Sequence, residues 1–390
     1  MMKWFGRKSA GRDGSRPVLA RGMGLAFVTD EGGAWPRSYE ARARAGFIDN
    51  PVAQRAVRMV AEGAQGAPLY GEGDHGAALV ALVTRGDMAT GGGAGLIETV
   101  AAQLLLHGNA FLRIVTDARA MPVALYPLRP ERVTVIADES GWPMAYEYRV
   151  GGAHERIAAL DDAGRMGVIH VRQFHPLDDH YGLGCLDAAV GAVAIHNAAQ
   201  RWNKALLDNA ARPSGALVFD PGEPGAALTA DQFDRLRAEV EAGFQGAANA
   251  GRPMLLEGGL KWQAMSMTPA DMDFAGLKAA SARDIALAFG VPPMLLGLPG
   301  DATYANYREA NRALWRLTIL PLLGKITGAI EAGLQYWWAD GRLRVDTDQV
   351  PALSEDRERL WAQLTAADFL SADEKREMLG FAPRAAGGEA

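Results

Sequence analysis

The sequence contains a single cysteine, Cys185, among its 390 residues. One cysteine excludes an intrachain disulfide and a zinc site built from several thiolates, and it is typical of synthesis in a reducing compartment. The formal net charge of −6 also means that the chain has no surplus of Lys and Arg. Tight binding to nucleic-acid phosphates needs such a surplus. If this protein meets nucleic acid, we expect it not to hold it tightly.

Long hydrophobic runs are scarce as well. The first residues, MMKWFGRKSAGRDGSR, are basic but lack the apolar core of a signal peptide. No later run reaches the roughly 18 consecutive apolar residues that a membrane-spanning helix needs. We therefore expect a soluble protein that is not exported and has no contact with a membrane.

Motifs for nucleotide hydrolysis and for nucleophilic catalysis are missing. The segment TGGGAGL precedes a helical pattern and resembles a phosphate cradle. It lacks the lysine and the hydroxyl of a P-loop, and the sequence contains no G-x-S-x-G. We interpret these glycines as a flexible turn, so the sequence predicts no catalytic residue and no cofactor.

The most enzyme-like group of side chains lies within residues 170–180 and consists of His170, His175, Asp178, Asp179 and His180. Imidazole and carboxylate groups this close in sequence can hold a divalent metal. Their spacing matches no metal motif, and paired aspartates are typical of turns. We expect no metal site here, but a metal-dependent hydrolase that uses these residues stays as an alternative.

Apolar residues make up 49% of the sequence and charged residues 22%, as in an ordinary globular protein. A chain of this length exceeds one simple core, so we expect two or more subdomains. Residues 1–46 are rich in Gly, Arg and Ser and show no sustained period. They are predicted to form a mobile N-terminal arm.

Helix and strand signals follow from residue 50 onwards. Asn50 as N-cap and Pro51 at the first helical position predict a helix. A second helix is predicted from Leu96 to Leu106, closed by Gly108 and followed by a strand. Several short strand-like runs then continue to about residue 174, so this part of the chain predicts an α/β domain.

Two long helical patterns bracket a small lobe. An alanine-rich helix is predicted over about residues 186–211, and a returning helix over 269–289. Between them, residues 214–267 predict a strand, a helix capped by Thr229, and a hairpin that turns at Gly258 and Gly259. The sequence therefore predicts an α/β lobe carried on two helices.

The returning helix ends at a double proline in FGVPPMLLGLPGDATYANYREANRALWRLTILP, residues 289–321. A glycine-punctuated loop follows, and then a long helical pattern from Tyr304 to about Trp337. Pro321 lies inside that pattern and lacks an amide hydrogen, so it should kink the helix. A strand near Arg342 and two helices, beginning at about Glu355 and Ser371, are predicted after it.

These segments, in this order, resemble the portal proteins of tailed bacteriophages, specifically the short type found in long-tailed (siphovirus-like) phages and phage-derived gene transfer agents. The similar segments span residues 56–334 and include LLLHGNAFLRIV, LYPLRPERVTV, VIHVRQF, DDHYGLGCLDAA, NAARPSGALV, RPMLLEGGLKWQAMSMTPADMDF and RDIALAFGVPPMLLGLPGDATYANYREANRALWRLTILPLL.

The resemblance implies an α+β portal fold with named parts. After the arm, it assigns an α/β wing to residues 47–183, stem helices to 184–211 and 269–290, a small α/β clip to 212–268, a tunnel-loop region to 291–306, a long kinked helix and the second part of the wing to 307–350, and a short helical crown with the C-terminal tail to 351–390.

The resemblance also implies a function. Portal proteins form a ring, here expected to hold about twelve copies, at one vertex of the capsid, and DNA passes through the ring during packaging and ejection. The implied partners are further copies of the chain, the major capsid protein, the terminase large subunit, the head–tail adaptor, and double-stranded DNA that passes without tight binding. The implied location is a virion or gene-transfer-agent particle, assembled in the bacterial cytoplasm, and the protein is not an enzyme.

Site residues follow from the same resemblance. The tunnel loop would be formed by Gly297, Gly300, Asp301, Thr303, Tyr304 and Asn306, and the helix kink by Pro321. The clip would bind its partner through Glu257, Gly258, Gly259 and Lys261. A loop that faces moving DNA should be adaptable and should repel phosphate, because each tight contact would oppose every step of movement.

A non-catalytic DNA-binding protein is the second alternative. It predicts that the isolated chain retains duplex DNA in a salt-dependent way.

Overall fold

The computed structural model describes residues 38–89, 95–208, 215–219, 229–244, 260–264, 274–298 and 304–379. The first part of the chain is mainly helical. Its elements are α1 (Tyr39–Ala43), a π-helical turn (Arg44–Ile48), α2 (Pro51–Gln65), β1 (Leu69–Glu72), α3 (Gly76–Ala89) and α4 (Leu96–His107).

The middle of the chain contains six strands and then the longest single α-helix. These elements are β2 (Asn109–Thr116), β3 (Pro122–Leu128), β4 (Val133–Ala137), β5 (Pro143–Val150), β6 (Ala153–Ala158), β7 (Val168–Arg172) and α5 (Cys185–Asp208).

The remaining elements alternate between the lobe, the returning helix and the long helix. They are β8 (Gly215–Phe219), α6 (Ala230–Phe244), β9 (Leu260–Ala264), α7 (Phe274–Ala288), α8 (Tyr304–Leu314), a π-helical turn (Trp315–Ile319), α9 (Leu320–Leu334), β10 (Arg342–Val345), α10 (Ser354–Ala366) and α11 (Ala372–Met378).

Helix α2 begins where its cap predicts. The Asn50 side-chain oxygen accepts hydrogen bonds from the backbone N–H groups of Val52 and Ala53, at 3.1 and 3.0 Å. The amide nitrogen of the same side chain donates to Asn197 of α5 at 2.8 Å. Asn50 is fully buried. One residue therefore both starts α2 and fixes its position against α5.

Two three-stranded antiparallel sheets follow one another. The first has the order β3-β2-β7 and the second the order β4-β5-β6. A small apolar core that includes Phe111, Tyr146 and Val168 joins them. This region therefore combines helices with two antiparallel sheets.

The main core is formed by helices packed against the first sheet. Leu104 of α4, Ile285 of α7 and Ile330 of α9 are all fully buried in it. Strand β1 joins this body by pairing antiparallel with β10, whose residues lie far away in sequence. Strand β10, from the last part of the described chain, therefore packs together with elements from its first part.

The long helix passes through residues 304–334 without a break but changes its geometry before Pro321. The backbone N–H of Leu320 donates to the carbonyl of Trp315, a π-type bond. Proline cannot donate to the preceding turn, and a π-turn is one way to accommodate a missing hydrogen bond. The irregularity lies where the proline predicts it and takes the form of a π-turn.

This same helix corrects one expectation from the sequence. Residues Asn306–Leu334 are long and apolar enough to cross a membrane by length and composition, although we expected no such segment. Leu323, Ile326 and Ile330 have no exposed surface and lie in the main core. Its buried face is therefore that of a core helix.

Other differences concern boundaries. Residues 38–46, which the sequence placed in the mobile arm, form a helix and the start of a π-turn, and Arg42 makes an ion pair with Asp187 of α5. Helix α3 was not predicted. The predicted hairpin turn at Gly258 and Gly259 lies outside the described residues, and β9 pairs antiparallel with β8.

Candidate functional site

The predicted stem consists of α5 and α7, which pack against each other. Near one end of the pair, the rings of Trp202 and Phe274 stack with their centroids 4.1 Å apart. Offset stacking of this kind adds to the free energy gained by burial. The two helices that carry the lobe are thus held together by an aromatic contact close to the lobe.

The loop after α7 is anchored where it starts. Phe289 and Val291 are buried on either side of Gly290, which has a positive φ of 65°. The Gly290 carbonyl accepts a 2.7 Å hydrogen bond from the hydroxyl of Thr318 in the π-turn. A side chain at position 290 would meet Thr318 and would also need a strained backbone. The loop therefore leaves the core from a fixed point.

A short 3-10 turn, Pro293–Leu296, follows and ends at Gly297, whose φ is 72°. Left-handed backbone here is the role that a glycine fills without steric conflict. Tyr304 and Asn306 begin helix α8, and Asn306 is exposed. Gly300, Asp301 and Thr303 lie outside the described residues.

Helix α8 continues from the loop with a polar surface. Arg312 is 7% exposed, and its guanidinium donates to the Glu309 carboxylate at 2.9 and 3.1 Å. Tyr307 is half exposed. The buried cation is thus paired within its own helix, as burial of a charge requires.

The predicted clip residues are only partly within the described structure. Lys261 lies in β9, opposite Val218 of β8, and is exposed. Glu257, Gly258 and Gly259 lie outside the described residues.

The histidine and aspartate group does not come together as a metal site. His170 stacks on Phe111, with centroids 4.2 Å apart, and its Nε2 donates to Asn109 at 3.0 Å. His175 Nδ1 accepts from the backbone of Leu177. Within the described parts of the chain, no three His, Cys, Asp or Glu side chains could hold a metal ion.

The carboxylates of this group serve local structure. Asp178 accepts hydrogen bonds from the backbone N–H groups of His180 and Tyr181, at 2.7 and 2.9 Å. Arg172 donates to the backbone carbonyl of Asp179. This is turn chemistry, as the sequence indicated.

Sequence reasoning missed a junction between two glycine segments. A Cβ on Gly108 would lie 2.5 Å from the Gly182 carbonyl oxygen, and a Cβ on Gly182 would meet the Gly108 carbonyl oxygen. Gly184 approaches Leu106 equally closely. The segments HGN and GLG both carry the portal resemblance, and their glycines were the signal for this close contact of backbones.

Asn109 completes this glycine junction. Its side-chain oxygen accepts from the Gly182 N–H at 2.7 Å, and its amide nitrogen donates to the Gly182 carbonyl and to His107 Nδ1. Burial lowers the pKa of His107 to about 4 and that of His170 to about 3. Both rings are therefore neutral at pH 7 and fixed by Asn109.

Along the chain, the glycine junction is followed by α5, the lobe, α7, the anchored loop and the long helix. A family model described as phage portal protein matches residues 51–380. The chain belongs to the phage portal protein family. Portal proteins act at a capsid vertex, and the family is a structural one.

Relatives support the same assignment. This portal protein is 42% identical over 293 residues to an uncharacterized protein of Rickettsia felis, covering 75% of this chain and 74% of the relative. It is 25% identical over 305 residues to the probable portal protein of Streptomyces phage phiC31, covering 73% and 63% of the two chains.

Among solved structures, the portal protein matches a chain from the neck of a native gene transfer agent (GTA) particle computed with C12 symmetry. The two are 47% identical with a TM-score of 0.69, and the match covers 90% of this chain and 95% of the other. The mixed helix and strand fold expected from the sequence is thereby confirmed.

Proposed function

We propose that twelve copies of this portal protein form a ring in the neck of a GTA-like or phage particle and that DNA enters and leaves the particle through it. One observation carries this proposal: the 47% identity, over nearly the whole of both chains, to a chain of a GTA neck with C12 symmetry. Near-complete coverage means that no large part of the neck protein lacks a counterpart here.

The parts of the subunit take the roles implied by the family resemblance. Helices α5 and α7 form the stem, the lobe with β8, α6 and β9 forms the clip, and the sheets with the long helix form the wing. Helices α10 and α11, which follow β10, form the crown. Pro321, next to the π-turn, bends the long helix between the loop and the wing.

The loop between α7 and α8 forms the tunnel constriction. Its anchor at Gly290 and Gly297 fixes where it begins, and Gly300 belongs to the same loop. Asp301 repels phosphate, and Thr303, Tyr304 and Asn306 make weak contacts that exchange easily. Such a surface resists DNA little, because Asp301 is negative and the remaining contacts are weak.

The clip binds the terminase large subunit during packaging and the head–tail adaptor afterwards, through Glu257, Gly258, Gly259 and Lys261. The wing contacts the major capsid protein. The portal protein itself is not catalytic, so the energy for packaging comes from the partner ATPase. The rings assemble in the bacterial cytoplasm before they become part of the particle.

Mass photometry and negative-stain microscopy of the purified full-length chain test this proposal. We expect particles with a mass near twelve times 41.6 kDa and end-on views with a central channel. A stable monomer or dimer, also after addition of the capsid protein, would contradict the ring. Salt-dependent retention of duplex DNA by such a monomer would favour the DNA-binding alternative.

A further inference from the structure

One exposed face of the long helix carries almost no polar side chains. Leu317 is 77% exposed, and Pro321, Gly324 and Gly328 are exposed at steps of four, three and four residues. These steps place the four residues on one side of the helix, over about 17 Å at 1.5 Å per residue. Arg316 and Lys325 are exposed charged residues beside them.

The glycines on this face are not explained by packing within the chain. Gly333, later in the same helix, meets the side chain of Ile169 and has no room for a Cβ. A Cβ on Gly324 or on Gly328 would meet nothing within 4 Å. Glycine inside a helix is less favourable than alanine. A contact with another molecule therefore explains these two glycines better than packing within the chain does.

A fixed loop places two more apolar side chains next to this face. Phe174 and Leu177 are 81% and 72% exposed. Lys325 donates a 2.5 Å hydrogen bond to the side chain of Gln173, which ties the loop to α9. The backbone of Leu177 is held in turn by His175. These side chains are thus exposed on a loop that the chain itself holds in place.

We propose that the apolar face formed by Phe174, Leu177, Leu317, Pro321, Gly324 and Gly328 is covered by the adjacent copy of this chain in the ring. This inference rests on the proposed ring. Copies related by a rotation meet through two different surfaces, so one surface of each subunit must accept the next subunit. Glycines permit a close approach of backbones, and exposed apolar side chains mark contact surfaces.

The chemistry of the face favours this occupant over DNA and over water. DNA binding needs cations and hydrogen-bond donors along the contact, and the side chains of the six residues that form this face supply neither. Contact with a second copy would cover Phe174, Leu177 and Leu317, which are 81%, 72% and 77% exposed in the single chain.

Gly328→Leu tests the surface because it should not destabilise the monomer but should weaken assembly of the ring. Leucine favours helix more than glycine and meets no atom of its own chain, so the melting temperature of the monomer should stay the same or rise. In the ring the added side chain overlaps the neighbour. We expect the concentration for half-assembly, measured by mass photometry, to increase by about tenfold or more.

Gly152→Leu is the matched control, since a Cβ on this glycine in the β5–β6 turn also meets nothing within 4 Å. It should assemble like the unchanged protein. Equal assembly of Gly328→Leu and Gly152→Leu would overturn the proposed surface while leaving the ring intact. Failure of the unchanged chain to form rings is a different result, because it would contradict the proposed function itself.

Leu317→Cys provides a second readout. Maleimide labelling of this cysteine should be slow in isolated rings and fast in the monomer, with Cys185 alone in the parent chain giving the background. Equal labelling rates in rings and monomers would contradict the proposal. Binding of the monomer to phosphatidylcholine vesicles that becomes stronger in Gly328→Leu, without any change in ring assembly, would assign the face to a membrane instead.

Discussion

At the scale of single residues, the glycine junction between α4 and the segment before α5 has little tolerance for change. We expect Gly182→Ala to lower the free energy of unfolding by more than about 2 kcal/mol, because its Cβ would meet backbone atoms of Gly108 and Gln173. Urea unfolding measures this effect. Gly152→Ala, with open space around it, should change stability little, and equal effects of the two substitutions would contradict the packing argument.

The two buried histidines at the same junction predict a pH dependence. Burial lowers the pKa of His107 from 6.5 to about 4 and that of His170 to about 3. Below pH 6.5 the unfolded chain therefore takes up protons that the folded chain does not. Their contribution to stability is complete above pH 6.5 and is lost as the pH falls towards 4 for His107 and 3 for His170, by up to about 1.4 kcal/mol per pH unit for each ring.

Urea midpoints measured between pH 7.5 and pH 4.5 test this. His107→Gln should have a flatter pH profile than the parent protein, whatever its stability at pH 7.5. His154→Gln, on the exposed β5–β6 hairpin, is the control for loss of a histidine. An unchanged slope in His107→Gln would show that the junction does not titrate as described.

At the scale of elements, the π-turn decides which side of the long helix faces the core. Ile319 is 1% exposed and Leu317 is 77% exposed, within the same turn. Ile319→Ala should destabilise the monomer by about 2–5 kcal/mol, because it leaves a cavity. Leu317→Ala should stay within about 0.5 kcal/mol of the parent. Urea unfolding below the concentration of ring assembly compares them, and the reverse order would contradict the position of the turn.

Local signals predicted most of these elements. The cap at Asn50, the proline at position 51 and the glycine at position 108 gave the bounds of α2 and α4 closely, because caps depend on neighbouring residues alone. Helix α3 was missed although Leu79, Leu82 and Val83 have the spacing of one helical face, because Val80 and Ala81 between them are apolar too and obscure the period. The pairing of β1 with β10 joins segments far apart in sequence, which no local pattern encodes.

At the scale of the whole molecule, the ring multiplies the charge of one loop by the number of copies. Rings of Asp301→Lys should retain duplex DNA at 50 mM salt and release most of it at 200 mM, because several added cations then contact phosphates together. Gel-shift titrations against salt measure this. Rings of Asp162→Lys, with the same change of charge in an exposed turn, should retain none. Equal retention by the two variants would contradict a position of residue 301 in the tunnel.

The sequence predicted the family at this scale because similar segments recur in the same order over most of the chain. The site was less accessible to prediction. The anchor of Gly290 on Thr318 and the contact between the two glycine segments depend on distances across the fold. The histidine and aspartate group shows that closeness in sequence does not ensure contact, since its residues bond to different neighbours in the structure.

The contact between Gly108 and Gly182 has a mechanical consequence. Side chains yield under force by changing rotamer, but here two stretches of main chain touch with no side chain between them. Such a joint is stiff. Gly182 lies just before α5, and Gly108 lies just before β2. A force along α5 should therefore be transmitted to the sheet with little local rearrangement. Each subunit would then transmit such a force as one rigid body.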